Sequence, residues 1–126
     1  MSEDEIDELN HAGNTHYVKW MQCAAVAHST ANGWSTDRYL ALGSGWGVRS
    51  HQITYLRPAF AGDQLIIRTW VASLRRVTSL RRYEIENMQG DLLARAETDW
   101  AFVRYAKQAP TRIPNDVAAC FIVIEN

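Results

Sequence analysis

The sequence predicts an α+β domain in which one long helix is wrapped by a curved antiparallel sheet. Three observations predict it. A single long apolar helical stretch, residues 15–33, stands near the start of the 126-residue chain. Beyond residue 45 most of the chain reads as strand, in runs of about 10 to 15 residues where about 5 to 6 is usual. The last two runs are joined by the tight turn "QGD" at 89–91, which pairs them antiparallel.

The helical stretch, "THYVKWMQCAAVAHSTANG", is alanine-rich with apolar residues around most of its circumference, and Gly33 stands where a helix stop belongs. It is expected to be buried on nearly all sides. "STDRYLALG" carries a start signal, Ser35 or Thr36 before Asp37, and closes on Gly43, so a second short helix comes next. "WGVRSHQITYLRPA" alternates Val48, Ser50, Gln52 and Thr54 against Arg49, His51, Ile53 and Tyr55 and ends at Pro58. "DQLIIRTWVASL", "TSLRRYEIEN" and "LLARAETDWAFVRYA" complete four strands, and the tail "QAPTRIPNDVAACF" adds two prolines and a short apolar segment. One helix cannot cover the inner face of so long a sheet. The apolar surface left over, with Trp70 and Trp100 on the strands, predicts a second copy alongside: a homodimer at least, with a tetramer built as a dimer of dimers beyond it.

The bulk numbers exclude several classes. The length suits one domain, residues 1–126, able to bury a core without metals or disulfides. A net charge of −1 offers no footprint for nucleic acid or for an anionic membrane. Cys23 and Cys120 sit in apolar contexts without ligand spacing, so both are expected as buried free thiols in a reducing compartment. The acidic start "MSEDEIDE" has neither a basic nor an apolar leader region, and no run reaches the roughly 18 apolar residues of a membrane span, which places the protein in the cytoplasm.

Chemistry concentrates in "DELNHAGNTHYVKWM", residues 7–21, where two acids, two amides, two histidines and a glycine crowd around the start of the helix. A helix beginning near Asn14 or Thr15 presents free amide groups and a partial positive charge of about +0.5. Asp7 by itself reads as a loop or capping acid. His11 and His16 lack a third residue of suitable spacing to hold a metal, and His28 and His51 receive no role. Tyr17 and Trp20, three apart, share a face that is either core or pocket wall. The block "RRVTSLRR" places Arg75, Arg76, Arg81 and Arg82 around Thr78 and Ser79. If the strand is unbroken, Arg75 and Arg81 share one face and Arg76 and Arg82 the other. Such a block either binds a phosphate or is a solvated strand face that discourages edge pairing.

Three segments in order, "DELNHAGNTHYVKW", "ITYLRPAFAGDQLIIRTWV" and "RRVTSLRRYEIENMQGDLLARAETDWAFVR" followed by "RIP", resemble the hot-dog-fold acyl-CoA thioesterases, especially the 4-hydroxybenzoyl-CoA thioesterase-like branch, over nearly the whole chain. Two departures stand out: Gly13 occupies a position where many relatives carry a first Asn, and six residues precede Asp7 where relatives carry a strand. The resemblance implies a hot-dog fold, hydrolysis of acyl-CoA, and no cofactor, coenzyme A being part of the substrate. It maps the carboxylate that acts as nucleophile or general base onto Asp7, and the oxyanion-binding amide onto Asn14. Gly13 then permits close approach of the substrate, and His11 orients a water or hydrogen-bonds Asp7. Tyr17 would line the acyl pocket, while Arg75, Thr78, Ser79 and Arg81 would meet the nucleotide phosphates. The dehydratase relatives of this fold pair a His with an acid on the long helix, and residues 15–32 contain no Asp or Glu. A non-catalytic acyl-CoA-binding module stands as the alternative.

Overall fold

The computed structural model describes residues 14–60 and 63–125. Its elements are α1 (Asn14–Ala31), α2 (Thr36–Leu42), β1 (Ser44–Tyr55), β2 (Leu65–Leu74), β3 (Thr78–Asn87), β4 (Leu92–Arg104), β5 (Ala109–Pro110) and α3 (Asn115–Ala119). The sheet runs in the order β1-β4-β3-β2, every pair antiparallel, with the two-residue β5 added to β4. α1 packs against β2 on the inner face. Among the described residues no helix is long and apolar enough to cross a membrane.

Local chemistry explains the boundaries. Ser35 caps α2 by accepting the Arg38 amide at 3.2 Å, and Gly43 ends it at φ 82°, a left-handed conformation that suits glycine. The β3–β4 turn closes because the Asn87 side chain accepts the amides of Gln89 and Asp91, with Gly90 at φ 87°. β5 and α3, which the tail's composition did not announce, are held by backbone pairing rather than propensity. The amides of Thr111 and Ile113 donate to Phe102 and Arg76, and that of Ile124 donates to Val71. Beyond α3 the chain returns to the outer edge of β2, where Val123 bridges Val71.

Three expectations are corrected. α1 is buried along one stripe, Tyr17, Met21, Ala25 and Ser29, while Lys19, Gln22, Cys23, Val26, Ala27 and Thr30 are exposed in the single chain. Alanine contributes too little area to force burial of every face. Cys23 is accordingly an exposed thiol, and Cys120 is half-buried, with burial pushing its pKa up. The alternation of β1 is broken by a bulge between Val48 and Ser50. Val48, opposite Trp100, therefore lies on the same inner face as His51, opposite Thr98.

The inner face carries two clusters. Under the first half of α1, Tyr17, Met21 and Ala25 pack on Tyr83, Ile85, Ala94 and Ala96. Past its second half, Trp34, Tyr39, Val71, Phe102, Ile113, Val117 and Phe121 form an aromatic cluster closed by the tail. The outer face is charged instead. Arg82 pairs with Glu97 at 3.6 Å, and Arg68 pairs with Glu86.

Candidate active site

α1 starts at Asn14, within the span expected for the helix start. Asp7, His11 and Gly13 lie outside the described residues. Around the first turns, Tyr17 is 2% exposed, its ring 5.0 Å from Trp20 and 5.0 Å edge-on from Tyr55. Burial raises its pKa, and the neighbouring Tyr55 and Asp63 push it the same way against a hydrogen bond from the Ala59 backbone. Tyr17 is thus a neutral phenol and a wall of the core. The β1–β2 connection crosses beside it. Its turn is clasped by the Asp63 carboxylate, which accepts the Phe60 amide at 2.8 Å, while the Asp63 amide donates back to Phe60 at 3.1 Å. The sequence motif included Asp63 without giving it a role. Only the fold brings that acid near Tyr17 and the start of α1.

The four residues expected to share a phosphate contact do not converge. Arg75 is exposed in the β2–β3 connection, its amide donating to Thr78 at 2.8 Å. Thr78 opens β3, so Arg75 precedes the strand and the shared face expected for Arg75 and Arg81 does not exist. Ser79 and Arg81, 5% exposed each, alternate inward with Tyr83 and Ile85, whereas Thr78 and Arg82 are half-buried positions on the other face. Ser79 Oγ donates to the Ser73 carbonyl at 2.8 Å. An inward guanidinium is not placed to meet a phosphate on the surface, whereas Arg75 and Arg76 in the connection are exposed.

Arg81 instead enters a cavity of about 220 Å³ beneath the second half of α1, lined by Ala25, Ser29, Trp46, Trp100 and Phe121 among others. The void arises from side-chain size. The buried stripe of α1 shrinks from Tyr17 and Met21 to Ala25 and Ser29, and the facing sheet offers Ser79. Polar groups thread its walls. Ser29 Oγ donates to the Trp34 carbonyl at 2.8 Å and lies 2.9 Å from the Tyr39 hydroxyl, which also accepts Trp46 Nε1 at 3.1 Å. Arg81 Nη1 donates to Thr69 Oγ1 at 3.1 Å and faces His28 Nδ1 at 3.0 Å. Burial, then the Arg81 charge, push the His28 pKa down, which favours a neutral imidazole whose Nδ1 accepts. At Gly45 nearby, the Tyr105 hydroxyl occupies the space a Cβ would take, so a larger residue there would displace the Tyr105 ring.

A family profile described as the thioesterase-like superfamily matches residues 2–121. No curated protein matches the sequence. Among solved structures, a hypothetical protein from Thermus thermophilus is 26% identical, with a TM-score of 0.89 over 96% of this chain and 92% of its own. A DHNA-CoA thioesterase from Staphylococcus aureus is 22% identical, with a TM-score of 0.85 over 89% of this chain and 75% of its own. A second Staphylococcus aureus protein, solved in complex with CoA, is 14% identical, with a TM-score of 0.89 over 95% of this chain and 76% of its own.

Proposed function

The chain belongs to the thioesterase-like superfamily and has its hot-dog fold, and on that basis we propose that it hydrolyses acyl-CoA thioesters to the free acid and coenzyme A. The observation that carries the reading is the start of α1 at Asn14, within the polar motif, in a chain matched by the family from residue 2 to 121. In this reading the thioester carbonyl oxygen lies over the first turn of α1. There the free amides, that of Asn14 foremost, take up the negative charge that develops on oxygen. No cationic side chain is then needed at the carbonyl. Asp7 either attacks the carbonyl carbon, forming a mixed anhydride that water opens, or takes a proton from the attacking water, with His11 holding that water. The thiolate of coenzyme A leaves, and its phosphates meet Arg75 and Thr78 at the β2–β3 connection.

A second copy belongs to the same proposal. α1 leaves Val26 at 51% exposure, β1 is an edge strand, and its inner-face residues Val48 and Tyr55 are 41% and 43% exposed, which together favour a homodimer across this side of the sheet.

The test is release of free thiol from short, medium and aromatic acyl-CoAs by wild type and Asp7→Asn. The expected result is turnover of at least one substrate and a fall of about 10²- to 10⁴-fold in the variant. Binding of acyl-CoA with no thiol release by wild type would instead make the protein an acyl-CoA-binding module.

A further inference from the structure

Arg81 is a desolvated cation, 5% exposed, with no counter-ion among the described residues. Its two hydrogen-bond partners, Thr69 and His28, are neutral. A guanidinium has five N–H donors in a fixed fork, so one edge of the group remains to be satisfied. Leaving a buried charge unpaired is unfavourable, and a well-placed anion offsets that cost. The space beside it is of the right kind. An apolar cavity of about 150 Å³ takes benzene, and this one, about 220 Å³ with Trp34, Trp46, Trp100 and Phe121 in its walls, adds room for a carboxylate. Trp34, Trp46 and Phe121 would hold an apolar body, and Phe121 already lies 5.8 Å below the guanidinium.

The site is also separate from the start of α1. From Asn14 to Ser29 is fifteen residues, roughly 22 Å along a helix. We infer that the cavity beneath the second half of α1 is a binding site for a small organic carboxylate with an apolar or aromatic body, with the Arg81 guanidinium as its counter-ion. This goes beyond hydrolysis at Asp7 and does not rest on it, since it is read by binding alone. The ligand class is a monoanion. Arg81 supplies a single positive charge, which a carboxylate balances, and the Ser29 and Ser79 hydroxyls already donate to backbone carbonyls.

The experiment is calorimetric titration of the full chain with phenylacetate, indole-3-acetate and hexanoate, each beside its uncharged amide, and then amide chemical-shift mapping. Saturable binding of at least one acid is expected, with a preference over its amide of about ten- to a hundredfold. Shifts should fall at Ser29, Ser79 and Arg81. Arg81→Met should lose that preference, and Arg81→Lys should keep part of it. The wild-type acid-to-amide comparison stands by itself if a variant fails to fold. No saturable binding of any acid, equal binding of acid and amide, a preference that survives in Arg81→Met, or shifts confined to the first turns of α1 would each overturn the inference.

Discussion

The two halves of α1 lie over the same sheet and enclose opposite environments. The first half presses Tyr17 and Met21 onto Tyr83, Ile85, Ala94 and Ala96, a dry cluster with Met21 and Ile85 fully buried. The second half offers Ala25 and Ser29 to a wall carrying Ser79, Arg81 and Trp100, and the result is a cavity edged by hydroxyls and a guanidinium. Helix and strand geometry are shared, so side-chain volume makes the difference. Where large apolar residues meet, packing is complete. Where small ones meet, space remains and polar groups occupy its border.

Met21→Ala should disrupt the first environment most severely. It removes a side chain with no exposed surface from a cluster that has no slack, and should cost about 2–5 kcal/mol, read from the denaturant midpoint. A loss below about 1 kcal/mol would mean that the first half is as loosely packed as the second. Tyr39→Phe probes the polar border. It removes the hydroxyl shared by Ser29 and Trp46 without changing the ring that stacks on Trp34, so the cost should be smaller, about 1–3 kcal/mol, and should come from the polar groups left unpaired. A neutral outcome would show that these groups reach water.

The smallest effect separates the two ends by pH. Burial and Arg81 lower the folded pKa of His28 from the ordinary 6.5, so the unfolded chain binds more protons than the folded one as pH drops below 6.5. Stability from this group is full above 6.5 and is lost as pH falls toward the folded value. His28→Gln should flatten that decline in a series of urea midpoints. A residual slope of the same sign is expected from His51, whose pKa burial also lowers. An unchanged slope in the variant would place the His28 ring in solvent.

Much of the fold was legible because its signals are local. Ser35 and Gly43 mark both ends of α2, and Gly90, in the "QGD" run, marks the β3–β4 turn. These depend on backbone conformations and short hydrogen bonds that a few adjacent residues specify. β5 and α3 were not legible. The first is two residues long, and both are held by amides that donate to Phe102, Arg76 and Pro114, partners that composition does not reveal. The bulge after Val48 was hidden for the same reason, since it is defined by the register against β4. At the candidate site, the polar motif and the helix start at Asn14 could be read directly, whereas the "RRVTSLRR" block could not. Alternation needs a strand, and β3 begins only at Thr78.

The α+β class, the order of the long elements, their antiparallel pairing and the polar chemistry placed against the start of the long helix are all written in the amino-acid order. Periodicity, caps and turn residues act between neighbours along the chain. Packing in three dimensions was needed to turn Arg81 inward, to bring His28 and Thr69 to it, to set Asp63 beside Tyr17, and to open a cavity under Ala25 and Ser29. Each of these joins residues far apart in the chain, and depends on sheet register and on the volumes left where helix and sheet approach.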